Sequence, residues 1–82
     1  MQVKEGALIA KARKASGYSQ LEIAKKLGYS HAQFISNIER DHALLPVRKF
    51  RALTRLVGAR PVRKLIELRV ASFRSRLEKE LE

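Results

Sequence analysis

Apolar residues recur along most of this chain at intervals of three and four, which is the pattern of amphipathic helices. No stretch alternates apolar and polar residues for long enough to predict a strand. The first helix is predicted over residues 4–16, with Leu8, Ile9 and Ala12 facing inward and Gly17 closing it. The pattern therefore predicts an all-α fold.

Two short helices follow. Ser19 and Glu22 have the spacing of a capping box, which marks the start of helix two. Ser30 and Gln33 have the same spacing and predict the start of helix three, which is expected to end near Arg40. The inner stripe of helix two is formed by Ile23, Ala24 and Leu27.

The connection between these two helices is short. Gly28 permits a tight turn, and Tyr29 and Phe34 are spaced as the two members of a hydrophobic staple. Two short helices around one glycine-containing turn have the spacing of a helix-turn-helix motif that reads DNA.

The second half of the chain predicts two more helices after a loop over residues 41–45. Pro46 is a natural first residue for helix four, Gly58 ends that helix, and Pro61 begins a fifth helix that runs close to the C-terminus. The inner face of helix four is predicted to consist of Val47, Phe50, Leu53 and Val57.

The fifth helix carries one long apolar stripe: Val62, Leu65, Ile66, Val70, Phe73, Leu77 and Leu81. We expect its first half, up to Ile66, to pack on the core. The outer half has little inside the monomer to cover it, so Val70, Phe73, Leu77 and Leu81 are predicted to form a dimer contact. Folding back onto helices one and four is the alternative. The chain is thus divided into a helix-turn-helix domain, residues 1–60, and a dimerisation helix, residues 61–82.

Composition narrows the range of functions. The chain has 82 residues, enough for one domain, and 18 Lys and Arg oppose 8 Asp and Glu, which gives a net charge of +10. Such a surplus attracts DNA, RNA or an anionic membrane. The acidic C-terminal end, with Glu78, Glu80 and Glu82, argues against binding to a membrane surface.

No apolar run has the roughly 20 residues that a membrane span needs, and no secretory signal is recognised. We therefore expect a cytoplasmic, nucleoid-associated protein.

Helix three has a polar face suited to base recognition. With Ile35 turned to the core, Ile38 and Glu39 fall to either side of it. The opposite face carries four hydrogen-bonding side chains: Gln33, Ser36, Asn37 and Arg40. Amide side chains can bind adenine bidentately, and an arginine can bind a phosphate or a guanine. An ordinary solvated face is the alternative interpretation.

The run A-R-K-A-S-G-Y-S-Q-L-E-I-A-K-K-L-G-Y-S, followed by I-S-N-I-E-R, makes residues 7–58 resemble the repressor/Cro-type (Xre-type) helix-turn-helix family of transcriptional regulators. The resemblance implies a lambda-repressor-like five-helix domain whose third helix lies in the major groove of DNA. It also implies that Gln20 binds a phosphate and that Arg13 and Glu39 form a buried structural ion pair.

The chain departs from the family pattern at two places. Gly28 and Glu39 are one residue further apart than is common, so the base contacts implied by the resemblance are counted back from Glu39, and His31 is added as a further candidate. Asp41 stands where the family often has glycine, and aspartate adopts a left-handed backbone only at some cost.

Four basic residues are the remaining candidates for phosphate contacts: Lys25, Lys26, Arg48 and Lys49. A solvated surface position is the alternative for each lysine. His31 and His42 have no partner at metal-ligand spacing and the chain has no cysteine, so we expect no metal, cofactor or small-molecule ligand. No nucleophile, carboxylate pair or phosphate loop predicts an enzyme.

The sequence therefore predicts a sequence-specific regulator that binds double-stranded DNA, acting as a homodimeric repressor on an inverted repeat. The alternative is a helical adaptor that binds a protein partner through its fifth helix, with DNA binding weak or absent.

Overall fold

A computed structural model describes residues 4–82 of the protein. Within that range there are five α-helices, one 3-10 turn and no strand, so the predicted all-α, five-helix fold is confirmed. The elements in chain order are α1 (Glu5–Ala15), α2 (Gln20–Lys26), α3 (Ala32–Glu39), the 3-10 turn (Val47–Lys49), α4 (Phe50–Val57) and α5 (Ala59–Lys79).

One apolar core joins all five helices. It includes the predicted inner stripe of α2, and each fully buried Leu or Ile contributes about 1.5–3 kcal/mol of burial free energy. Leu45 comes from the loop between α3 and the 3-10 turn, and it is among the most deeply buried side chains. The core residues are Ile9, Ile23, Ala24, Leu27, Ile35, Ile38, Leu45, Leu53, Val62 and Leu65.

The start of α2 is as predicted and the start of α3 is not. At α2, Ser19 Oγ accepts a hydrogen bond from the Glu22 backbone N–H (3.0 Å), and the Glu22 carboxylate accepts one from the Ser19 backbone N–H (2.8 Å). At α3 the N-cap is His31, whose extended backbone precedes Ala32, and its side chain makes no capping bond. The prediction that Ser30 caps this helix is therefore wrong.

Aromatic packing accounts for the later start of α3. The rings of Tyr29 and Phe34 stack with centroids 5.0 Å apart, and the Tyr29 N–H donates to the Ala24 carbonyl (2.9 Å). These contacts hold Tyr29 against the end of α2, so the chain needs two more residues before it can turn into a helix. Tyr29 and Phe34 do contact each other, but one position away from true staple positions because the helix begins late.

Two predictions around α4 are also wrong. Val47 is 67% exposed rather than inward, because Leu45 fills the core position and the 3-10 turn carries Val47 to the surface. Gly58, with φ +94°, ends α4 and at once begins α5. Pro61 is thus the third residue of α5 rather than its first, and it is tolerated there because first-turn N–H groups have no helical acceptor.

The prediction that Ile66 packs on the core is wrong as well, since its side chain is 44% exposed. The face of α5 that packs on the domain is centred on Leu65, which is fully buried, and the next residue is rotated from it by about 100°. Only Val62 and Leu65 of the predicted stripe are buried. The rest of the stripe is exposed.

Arg69 fixes α5 to the rest of the domain. Its guanidinium donates two hydrogen bonds to Glu5 (Nη2–Oε1 2.6 Å, Nε–Oε2 3.1 Å) and a third to the Leu45 carbonyl (2.7 Å). It also lies 4.9 Å from the centre of the Phe50 ring. Glu5, at the start of α1, is buried, so this bidentate pair satisfies a carboxylate that would be costly to bury alone.

The start of α1 packs directly on the end of α3 through Gly6. A Cβ atom at this position would overlap the carbonyl oxygens of Ile38 and Glu39. The Gly6 N–H donates to the Asp41 carboxylate (Oδ1, 2.9 Å), and Asp41 has φ +61°. Aspartate at this left-handed position therefore supplies an acceptor for α1 that a glycine could not.

We expect Gly6→Ala to destabilise the protein by about 2 kcal/mol or more, although alanine is the better helix former by about 1 kcal/mol. The loss comes from backbone atoms of α3 that must move to admit a methyl group. Urea unfolding followed by circular dichroism measures it. Ala7→Gly, at an exposed neighbour, is the control and should cost no more than about 1 kcal/mol. A Gly6→Ala protein as stable as the parent would contradict the close contact.

Candidate nucleic-acid interface

The turn between α2 and α3 is held by contacts at both of its ends. Gly28, with φ +90°, makes the turn itself. Lys49 donates from Nζ to the Leu27 carbonyl at the end of α2 (2.7 Å), and the same ammonium lies 5.1 Å from the centre of the Tyr29 ring. Lys49 is half-buried, so its main contacts position the turn and join it to the start of α4. We therefore interpret Lys49 as a positioning residue.

The outer face of α3 brings together the predicted base-reading side chains. Gln33 and Arg40 are exposed, as is His31 just before the helix, while Ser36 and Asn37 are half-buried. The Gln33 amide donates from Nε2 to Asn37 Oδ1 (2.9 Å). This bond uses the Gln33 NH₂ group and the Asn37 carbonyl oxygen, so the Gln33 carbonyl oxygen and the Asn37 NH₂ group are a neighbouring acceptor and donor.

Phe34 belongs to the same surface, although its spacing in the sequence does not predict this. Its side chain is 46% exposed even though one side of the ring stacks on Tyr29. Phe34 lines a shallow depression together with His31, Gln33 and Asn37. An apolar side chain at the edge of a polar reading face can contact a thymine methyl group. An uncovered Phe could not be inferred from its spacing, because the same spacing fits complete burial.

Glu39, at the end of α3, lies at the centre of a hydrogen-bonded cluster. Its Oε2 accepts from Arg13 Nε (2.6 Å), and its Oε1 accepts from Arg13 Nη2 (3.1 Å) and from the Gln20 amide (2.9 Å). Arg13 Nη1 donates in addition to the Tyr18 carbonyl (2.9 Å). The side chains of Arg13 and Glu39 are 10% and 7% exposed. The cluster thus joins α1, the start of α2 and the end of α3.

The cluster changes the acid–base properties of its members. Burial by itself would raise the pKa of Glu39, but the hydrogen bonds from Arg13 and Gln20 and the nearby positive charge outweigh it and lower that pKa. The hydrogen bond to Glu39 raises the pKa of Arg13 further above its ordinary value. The pair is therefore ionised at neutral pH.

Gln20 occupies a mixed position. Its amide group is engaged with Glu39, yet it is the first residue of α2 and remains only half-buried. The contact to Glu39 orients the side chain, and one amide hydrogen is left for another acceptor.

Exposed basic side chains surround the α2–α3 unit. Lys25 and Lys26 lie on the outer side of α2, and Lys26 Nζ is 5.9 Å from the centre of the Tyr18 ring. Arg48 is exposed in the 3-10 turn, and Arg40 follows α3 directly. Positive charge is therefore available on α2, after α3 and before α4.

Two other kinds of site receive no support from residues 4–82. No group of three or more His, Asp or Glu side chains in this range is arranged to hold a metal ion. No helix there is both long enough and apolar enough to cross a membrane.

The effect of Glu39→Gln should depend on pH. Because the folded-state pKa of Glu39 is lowered, its ionised form stabilises the fold fully above the unfolded value of about 4.3, and this contribution disappears as pH falls through the lower folded value. We expect Glu39→Gln to lower the free energy of unfolding by about 3 kcal/mol at neutral pH and by clearly less near pH 3.

Urea unfolding across this pH range is the measurement. The exposed Glu78→Gln is the matched control, which should change stability by less than about 0.5 kcal/mol. A Glu39→Gln deficit that stays constant from neutral to acid pH would show that the ion pair does not stabilise the fold in its charged form.

Comparison with known proteins agrees with this geometry. A family model described as helix-turn-helix matches residues 9–65, which is more than half of the chain and includes α2, the turn and α3. No curated protein and no solved structure matches the chain at a significant level. The match covers the Arg13–Glu39 cluster and the outer face of α3 alike. The chain therefore belongs to the Xre/Cro-type helix-turn-helix family of DNA-binding regulators.

Proposed function

We propose that the protein is a dimeric transcriptional repressor that reads an inverted repeat in double-stranded DNA by inserting α3 into the major groove. The observation that carries this proposal is the hydrogen bond between Gln33 and Asn37. It holds an acceptor and a donor group next to each other on an exposed helix face. Adenine presents the complementary pair in the major groove, a donor at N6 and an acceptor at N7.

The remaining side chains of this face extend the reading surface. Ser36 can donate to or accept from a base, His31 lies where the helix enters the groove, and Phe34 offers an apolar contact for thymine. The base-reading set that we propose is Gln33, Ser36, Asn37 and His31, with Phe34 added from the structure.

Contacts to the phosphate backbone would position α3 over the bases. Lys25, Arg40 and Arg48 are exposed around the α2–α3 unit and supply positive charge. Gln20 is oriented by Glu39 and can donate its remaining amide hydrogen to a phosphate oxygen. Lys49 would contribute indirectly, because its side chain holds the turn between α2 and α3. Contacts of this kind carry no sequence information, but they fix the register of the protein on the duplex.

The outer part of α5 supports the dimer in this proposal. The four residues there are 54–87% exposed: Val70, Phe73, Leu77 and Leu81. An exposed apolar stripe of this length marks a partner surface, and a two-fold dimer places two copies of α3 in successive major grooves. Residues 1–60 would then be the reading unit and residues 61–82 the dimerisation element. Such a protein would act at the nucleoid in the cytoplasm and block a promoter by covering it.

The same exposed stripe favours a second candidate, a helical adaptor that binds another protein through α5. Salt and sequence dependence of DNA binding separate the two. A DNA-binding regulator loses affinity for random duplex steeply between about 50 and 200 mM salt and binds a duplex selected from a random pool about a thousandfold more tightly. Weak binding without sequence preference would leave the adaptor as the better explanation.

We expect Asn37→Ala to weaken binding to the selected duplex by about 1–3 kcal/mol and to leave binding to random duplex nearly unchanged. The reason is that the outward donor group is lost while the phosphate contacts stay. Titrations against both duplexes measure the difference. Lys25→Ala is the contrasting variant and should weaken both in similar proportion. Equal losses on the two duplexes for Asn37→Ala would mean that Asn37 does not read a base.

We expect Phe73→Asp to shift the protein from dimer toward monomer, because it places a charge in the apolar stripe. Sedimentation equilibrium of the full chain measures the mass. Ser75→Asp adds the same charge to the opposite side of α5 and should leave the mass unchanged. A Phe73→Asp protein with the mass of the parent would remove α5 from the dimer contact.

A further inference from the structure

The exposed side of α5 has the spacing of a coiled-coil seam. Ile66, Val70, Phe73 and Leu77 follow one another at intervals of four, three and four residues. They lie within an arc of about 60° on the helix, and each is 44–60% exposed. The two buried residues of α5, Val62 and Leu65, are centred about 80° from the middle of this arc. One side of the helix thus packs on the domain, and a second side is apolar and exposed.

Charged residues continue the seam at both ends, and their signs are opposite. Arg63 comes three residues before Ile66, and Glu80 comes three residues after Leu77, so both keep the same seam spacing. Both side chains are exposed. A helix with a positive end and a negative end on one seam is complementary to a second copy that runs in the opposite direction.

We propose that two copies of the protein pair through α5 in antiparallel orientation, with the two-fold axis between residues 71 and 72. This inference rests on the dimer in the proposed function and adds its direction and register. The axis is the midpoint of 66 and 77 and also of 70 and 73. Ile66 then packs against Leu77 of the second copy, and Val70 packs against Phe73 of the second copy. Arg63 meets Glu80 of the second copy at each end.

The register follows from burial. This alignment places all four apolar residues of one helix opposite apolar residues of the other. A shift of the partner by one heptad would leave apolar side chains opposite charged ones and would bury less apolar area.

The direction follows from charge. A parallel pair in register would set Arg63 against Arg63 and Glu80 against Glu80, and it would bring Arg69 next to Arg74 on both flanks. In the antiparallel pair, Glu67 instead lies beside the seam next to Arg74 of the second copy. The two-fold axis repeats this contact, so it occurs twice per dimer. Like charges in direct contact oppose association, so the parallel arrangement is disfavoured.

One kind of like-charge contact remains in the antiparallel pair, between Arg69 and Arg76 of the second copy, and it also occurs twice per dimer. It is weakened because Arg69 is already neutralised by the bidentate pair with Glu5. Beside this flank lies a cleft lined by Glu5, Leu44, Val70 and Phe73. Leu44 is 63% exposed there, and a second helix on the seam would cover it as well. The neighbouring surface therefore adds apolar area to the contact.

A charge exchange across the proposed flank tests the pairing. Glu67→Arg and Arg74→Glu should each raise the dimer dissociation constant about tenfold, since each creates two like-charge contacts per dimer. The double variant restores both contacts and should return to within about threefold of the parent. Sedimentation equilibrium of the full chain measures all three, and circular dichroism verifies that the helices persist. Lys64→Glu, on the far side of α5, is the control and should change the constant by less than about threefold. A double variant as weak as the single ones overturns the register.

Engineered cysteines test the direction, because the chain has none of its own. Val70→Cys and Phe73→Cys proteins of different length are mixed and oxidised. The antiparallel pair predicts a mixed disulfide between positions 70 and 73 in clear excess over either homodimer. Predominant homodimers indicate parallel helices, and a dimer that yields no disulfide uses another surface. Either result overturns the proposal.

The failure of this inference can be told apart from the failure of the proposed function. A parent protein that sediments as a monomer at about 100 times the concentration needed for DNA binding overturns the α5 pairing, even if it still prefers a selected duplex over random DNA. Conversely, a mixed disulfide without sequence-dependent DNA binding supports the pairing and contradicts the regulator.

Discussion

The buried carboxylate of Glu39 is the contact on which the arrangement of the first three helices depends. It accepts hydrogen bonds from Arg13 in α1 and from Gln20 at the start of α2, while its own backbone ends α3. Removing Arg13 would leave the Glu39 charge uncompensated in a largely buried position, which is why such a pair is stabilising only when it is complete. Because the position of α3 relative to α2 defines the helix-turn-helix unit, this buried ion pair helps to position the face of α3 that we propose to read DNA.

A second ion pair repeats this design at the start of α1. Arg69 joins α5 to Glu5 and to the loop carbonyl of Leu45. Next to it in α1, Gly6 packs on the end of α3 and binds Asp41. The first turn of α1 is therefore in contact with the element that we propose to read DNA and with the helix that we propose to dimerise. Small, specific contacts therefore add to the apolar core in holding these parts together, as expected for a domain of this size.

Features that depend on neighbours in sequence could be predicted, and features that depend on distant ones could not. The Ser19–Glu22 capping box forms as its spacing predicts, since both partners belong to one turn. The start of α3 was mispredicted because the packing of Tyr29 overrides a similar local signal at Ser30. Val47 and Leu45 exchange roles because a 3-10 turn shifts the register, and the pairing of Arg69 with Glu5 spans 64 positions. For the candidate site, helical geometry predicted the polar face of α3, whereas the exposure of Phe34 required the packed structure.

Gly58 determines how closely α5 is connected to the rest of the domain. A single residue in a left-handed conformation both ends α4 and begins α5, so no flexible connector separates the reading domain from the arm that we propose to dimerise. The hydrogen bonds of Arg69 to Glu5 and to the Leu45 carbonyl also fix α5 to α1 and to the loop before α4. Two subunits joined through such arms would hold their DNA-binding domains at a fixed distance. The gap between the two half-operators would then be set by the protein, and sites with a longer or shorter central spacer would be poor targets regardless of how well each half matches.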